Sequence, residues 1–200
     1  MNNLLDNIST LFKKYGVKSV TMDDIARKFG VSKKTLYQHF ENKTDVVYKV
    51  AHFEFDKERE ILKKLCQEHK NVIDQLFVIS KFIVKSNLLL SPSLMYSMEK
   101  YFHKTWEELI NERREFVLNL IAENFKEGMK QGIYRSDINL SIIKLFYSFL
   151  LNIKSIKFFN DLTRENFDDT FNTIFTYHIR GIANHEGIEY LEKRFLSGEK

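Results

Sequence analysis

Proline is almost missing from this 200-residue chain, with Pro92 the single example, and only seven residues are glycine. A chain with so few backbone breakers cannot supply the many turns of a sandwich or barrel, and it predicts helices nearly throughout. Cysteine is as scarce. Cys66 alone excludes an intrachain disulfide and fits a reducing compartment. No apolar run approaches the ~18 residues of a membrane-spanning helix, and the N-terminus lacks the charged-then-apolar order of a signal peptide. The expectation is a cytoplasmic protein with no membrane partner. The chain also has no glycine-rich phosphate loop, no H-E-x-x-H and no G-x-S-x-G, and its six histidines are scattered at 39, 52, 69, 103, 178 and 185. It therefore does not read as an enzyme. Cys66 and His69 stand three apart, but two ligands do not make a metal site, so neither metal nor cofactor is expected.

What is present is a globular balance, 44% apolar and 29% charged, in a chain long enough to bury a full core. The net charge is +4 and is unevenly placed. Residues 1–45 hold eight Lys/Arg against five Asp/Glu, leaving twenty-three against twenty-two for residues 46–200. The basic excess thus falls on the N-terminal quarter, which contains the most informative stretch, Thr21 to Lys43, reading TMDDIARKFGVSKKTLYQHFENK.

Thr21 and Asp24 form a T-x-x-D pattern, in which a hydroxyl caps the unpaired amides of a helix's first turn and the acid suits its positive end. Residues 22–29 then read as a helix burying Ile25, Ala26 and Phe29, stopped by Gly30. Ser32 caps a second helix, Lys33 to His39, which buries Leu36 with Phe40 and turns Lys33, Lys34, Thr35, Tyr37, Gln38 and His39 outward. Two short helices on a tight glycine turn, the second basic and polar outside, form a helix-turn-helix that can enter a major groove. Double-stranded DNA is the expected partner. Thr21, Ser32, Tyr37 and Lys43 are placed on phosphates, whereas Lys33, Lys34, Thr35, Gln38 and His39 face the groove or its rim.

The same stretch resembles the TetR family of bacterial transcriptional repressors. Its Thr, Ile-Ala, Gly-Val-Ser, Leu-Tyr, aromatic-Phe and closing Lys stand at that family's spacing, over about residues 4–50, and GMKQGIYRSD at 128–137 looks like the end of the family's seventh helix. Lys34 departs from the glycine found in many members. The resemblance implies an all-α protein of nine to ten helices. Residues 1–46 would be a three-helix DNA-binding domain, with a linker helix from 43, and residues 47–200 an effector-binding and dimerisation domain. It also implies a homodimeric repressor, bound to a palindromic operator and released by a small molecule.

Outside that stretch the periodicity is helical. Residues 3–15 carry Leu4, Leu5, Ile8, Leu11, Phe12 and Tyr15 on one stripe, with too few cations opposite for a membrane-surface helix. Asn42 repeats the capping pattern with Asp45 and predicts a long helix to about Gln67. Further helices are predicted from Asn71 or Val72, from Pro92 behind a Ser91 cap, from about Thr105, over 139–157, over 163–183 and within 186–200. Phe77, Met95, Met98, Tyr101, Trp106 and Phe116 are the candidate lining of an apolar or amphipathic ligand's cavity, with Tyr96 and His103 as further polar handles. Bulky residues at helical spacing also simply fill cores, and both readings stand at this point. The helices over 139–157 and 163–183 carry more apolar surface than one subunit can bury. Phe146, Phe149, Ile153, Phe171, Phe175 and His178 are therefore assigned to a homodimer interface. The alternative to a ligand-responsive repressor is a DNA-bound structural or protein-interaction factor on the same fold with no small-molecule effector.

Overall fold

The structure, a computed structural model, describes residues 2–89, 91–151 and 167–196. These residues form ten α-helices: α1 (Asn2–Tyr15), α2 (Met22–Phe29), α3 (Lys33–His39), α4 (Lys43–Glu68), α5 (Val72–Leu89), α6 (Pro92–Tyr101), α7 (His103–Lys130), α8 (Leu140–Leu150), α9 (Phe167–Ile182) and α10 (His185–Leu191). A turn of π-helix, Glu192–Leu196, follows. The all-α expectation holds. The seventh helix starts at His103 rather than near Thr105, because Phe102 closes α6 by donating its N–H to Met98 O and lets the next helix begin at once. The stretches 152–157 and 163–166 of the two late helices, with Ile153, lie outside the described residues.

The chain groups into two compact units. The first joins residues 1–61 to 90–113, and the second joins 62–89 to 114–200. The expected boundary at residue 46 is therefore not where the packing divides. Met98 is buried in the same cluster as Ile8, Ile25, Leu36, Phe40 and Val46, with Leu94, Phe102 and Trp106 packed on it. Residues far along the sequence thus complete the core of the N-terminal unit. Within that unit Arg113 reaches Glu58 through both its Nε and its Nη2, at 2.7 to 3.0 Å, in a largely buried bidentate pair.

The second unit is built on Leu62, Val72, Ile73, Leu76, Phe125 and Ile179, each fully enclosed. Its turn after α7 is the GMKQGIYRSD stretch, and α7 ends there at Lys130. Tyr134 is buried, and its hydroxyl lies 3.1 Å from both Val72 O and Asn124 Oδ1. Asn124 Nδ2 donates to the same Val72 carbonyl at 2.8 Å. The Val72 carbonyl in the first turn of α5 is thereby held from two sides, and a single bridge between Tyr134 and Ala183 ties the turn to the end of α9.

Candidate nucleic-acid interface and apolar cavity

The helix-turn-helix is assembled as its residues dictate. Thr21 Oγ1 accepts the Asp24 N–H at 3.1 Å, and Asp24 Oδ2 accepts both the Thr21 N–H at 3.0 Å and its hydroxyl at 2.7 Å, a complete capping box. These bonds hold the Asp24 carboxyl below its ordinary pKa. Gly30 sits at φ 64° and ψ 26°, a left-handed geometry a side chain would strain, and the next amide, Val31 N–H, returns to Ala26 O. Ser32 Oγ then caps α3 by accepting the Thr35 N–H at 3.0 Å.

With Leu36 and Phe40 each 1% exposed, the opposite face of α3 is open. Lys33, Lys34, Tyr37, Gln38 and His39 are exposed, and Thr35 is half-buried. Lys33 pairs with Asp23 at 2.7 Å, an exposed bridge that a phosphate can replace at small cost. Two residues assigned to phosphates are differently engaged. The hydroxyl proton of Thr21 goes to Asp24, so Thr21 has no side-chain donor left for a phosphate oxygen. Lys43 is half-buried, donates to the Val20 carbonyl and lies 4.5 Å from the centre of the Phe12 ring. Burial lowers its pKa from 10.5 to about 8. In this chain its ammonium faces inward, joining the start of α4 to the segment ahead of α2. Ser32 and Thr35 share one hydrogen bond between their hydroxyls at 2.8 Å, which leaves one of the two protons to point outward.

Sequence reasoning missed Lys49. Its ammonium donates to His39 O, at the end of α3, at 2.9 Å and to Asp45 at 2.8 Å, while Asp45 also accepts the Glu41 N–H. Together these fix the exit of α3 against the start of α4. The only sequence trace was the i, i+4 spacing of Asp45 and Lys49.

In the second unit, α5, α7, α8 and α9 enclose a partly open cavity of about 200 Å³. Its wall is mostly aliphatic and phenyl, and its polar members are Ser80, Asn87, Tyr147, Thr170 and His178. None of the expected lining residues is in that wall. Met95, Met98, Tyr101 and Trp106 belong to the first unit, where Met98 is core and Tyr101 is exposed, with Lys18 Nζ donating to its hydroxyl at 2.8 Å. Tyr96 and His103 are exposed. Phe77 and Phe116 are packed against the core of the second unit. The cavity instead takes in Phe146, Phe171, Phe175 and His178, all read from sequence as interface. Phe175, 5% exposed and ringed by Phe77, Phe171 and Phe195, is core and offers nothing to a partner.

His178 Nε2 lies 2.8 Å from the Tyr147 hydroxyl, and its ring stacks on Phe146 at 5.7 Å. Burial lowers its pKa from 6.5 to about 4, so the ring is neutral at pH 7. Between those two values the folded chain binds fewer protons than the unfolded one. Stability is therefore complete above pH 6.5 and is lost as the pH falls toward 4, by on the order of 3 kcal/mol. Urea unfolding at pH 7.0 and 4.5 checks this: His178→Gln should lose distinctly less stability over that interval than the wild type. An equal loss in both proteins would place the acid sensitivity elsewhere.

Residues 4–50 match the family described as bacterial regulatory proteins, tetR family. The Staphylococcus aureus biofilm operon negative transcriptional regulator IcaR is 25% identical over 122 residues, covering 61% of this chain and 60% of IcaR, less than two thirds of its length. The Rhodococcus jostii HTH-type transcriptional repressor KstR2 is 26% identical over 151 residues, 70% of each chain. The solved transcriptional regulator FadR of Bacillus subtilis, in complex with stearoyl-CoA, has the same fold at a TM-score of 0.63 and 17% identity, over 90% of this chain and 97% of that one. Among the described residues no helix is long and apolar enough to cross a membrane. With its capping box, left-handed Gly30 and Ser32 cap in place, the stretch 4–50 is a helix-turn-helix of the kind described as bacterial regulatory proteins, tetR family.

Proposed function

We propose that this chain is a repressor that binds a palindromic DNA operator as a homodimer and leaves it when a small apolar or amphipathic molecule enters the second unit. The observation that carries the DNA reading is α3: its back is sealed by Leu36 and Phe40, while Lys34, Tyr37 and Gln38 stand exposed on the other side. Gln38 has the two-edged amide that suits adenine, Lys34 suits guanine or phosphate, and the Tyr37 hydroxyl suits a phosphate oxygen. IcaR and KstR2, both negative regulators by name, support repression over activation.

The dimer is supported by a stripe on α8. Ile142, Leu145, Phe146, Phe149 and Leu150 recur at i, i+3, i+4, i+7 and i+8, all exposed, with Ile174 and Tyr177 of α9 exposed as well. A contiguous apolar face of this kind marks an association surface. The cavity supports an effector, which sets this reading apart from a structural factor. The helix that would transmit its effect is α4, a continuous 26-residue element roughly 39 Å long. Its residues to Ile61 belong to the first unit and those from Leu62 to the second. A ligand that prefers one setting of this lever would weaken operator binding by a coupling of ~1–3 kcal/mol, and the operator would weaken ligand binding equally.

The test begins with selection from a random duplex pool. The wild type should enrich an inverted repeat. Gln38→Ala should relax choice at one position of each half-site, at ~1–3 kcal/mol per lost base contact, whereas Tyr37→Phe should weaken all sequences alike. Unchanged specificity in Gln38→Ala would remove α3 from base reading. Tight binding of an apolar ligand with no change in operator affinity would favour the structural factor.

A further inference from the structure

The polar content of the cavity is small enough to be accounted for atom by atom. Tyr147 and His178 satisfy each other, and His178 is neutral because of its burial. Among the described residues the wall holds no Lys, Arg, Asp or Glu. Lys81 and Lys85 of α5 are near in sequence but lie outside the wall, both paired with Asp168, at 2.7 and 3.8 Å. A carboxylate or phosphate placed inside would lose its water and meet no cation among the described residues, a cost of several kcal/mol. One buried polar atom of the wall has no hydrogen-bond partner. Asn87 is 5% exposed, and its Oδ1 is buried with no hydrogen-bond partner. A buried acceptor left unpaired is costly, and any molecule that presents an N–H or O–H to it gains selectivity over one that does not.

From this unpaired acceptor in an apolar wall whose described residues carry no charge, we infer that the cavity takes a small uncharged ligand, an aliphatic or aromatic body carrying one hydrogen-bond donor, such as an alcohol or a primary amide, directed at Asn87 Oδ1. At about 200 Å³ the space lies below the ~300–1,000 Å³ of sites for drug-sized molecules, so the body is short. The inference rests on the effector reading above and specifies the chemical class of effector. Ser80 and Thr170 also line the wall, but their hydroxyls can donate as well as accept and so do not select for a donor in the same way.

The experiment uses three probes of one chain length, 1-octanol, its methyl ether and octanoate, titrated calorimetrically into the full-length protein without DNA. The expected result is that 1-octanol binds at least about tenfold more tightly than the ether, which cannot donate, and than octanoate, which is charged. Asn87→Leu should bring alcohol and ether within about twofold of each other, and Ser80→Ala should leave the preference intact. If Asn87→Leu does not fold, the alcohol-to-ether ratio in the wild type decides the matter. Equal binding of alcohol and ether, a preference for octanoate, or binding of none of the three overturns the inference. Operator affinity measured beside these titrations keeps the two claims apart. Alcohol selectivity that depends on Asn87 without operator release would leave the ligand class standing and remove the switch. Operator release by a ligand indifferent to Asn87 would do the reverse.

Discussion

Phe149→Glu is expected to yield a folded monomer that has lost high-affinity operator binding. Phe149 is 67% exposed in the single chain, so in an isolated subunit the glutamate would stay in water and cost little, within the ~0.5 kcal/mol typical of surface substitutions. In a dimer paired through α8 and α9 the same carboxylate would be buried on an apolar face. Desolvating it there costs several kcal/mol for each subunit, enough to abolish association at micromolar concentration. Operator affinity should then fall by orders of magnitude, because one reading head holds only one half-site. Sedimentation velocity, circular dichroism and operator titration together decide it. A helical, monodisperse dimer would take Phe149 out of the interface. Phe175→Glu provides the contrast: that ring is buried within its own subunit, so the variant should unfold rather than dissociate.

The contrast between Phe149 and Phe175 shows where the sequence is informative and where it is not. Local signals were legible because they act within one turn of helix: the Thr21–Asp24 box, the left-handed Gly30, the Ser32 and Ser91 caps and the end of α7 all stand where the residues place them. Long stripes were legible as helices but not as surfaces. Helices α8 and α9 are apolar on more than one side, and periodicity cannot say which side meets a partner, which meets the core and which borders an opening. Phe149 thus falls on the free face, Phe175 in the core, and Phe146, Phe171 and His178 at the cavity. Lys43 shows a related limit. A lysine in a helix's first turn is unfavourable for the dipole and suggests an external anion, but here the Val20 carbonyl and the Phe12 ring, brought from more than twenty residues away, take up the charge. Asn87 gave no signal at all, since its significance lies in a partner it lacks.

Gly128→Ala tests a close approach that overrides helix propensity. In a helix interior this replacement ordinarily stabilises by ~1 kcal/mol. At Gly128 a Cβ would fall 2.2, 2.5 and 2.9 Å from three carbons of the Tyr134 ring. That ring cannot easily retreat. It is 1% exposed, its centre is 5.1 Å from that of Phe125, and its hydroxyl is fixed against Val72 O and Asn124 Oδ1. Relief requires moving the turn after α7 or breaking the bonds that hold the start of α5, and overpacking of this kind costs ~1–3 kcal/mol or more. The clash outweighs the propensity gain, so Gly128→Ala should lower the free energy of unfolding by about 2 kcal/mol. Tyr134→Leu shortens the ring and removes its hydroxyl, so it destabilises by itself, but it also removes most of what the new methyl strikes. In the double variant Gly128→Ala should then be close to neutral or mildly stabilising, and the double variant's loss should fall short of the sum of the two single losses by about 2 kcal/mol. Urea unfolding of the four proteins measures that coupling. Additive losses, or a stabilised Gly128→Ala, would mean that the turn yields freely and that glycine at 128 answers to something other than the Tyr134 ring.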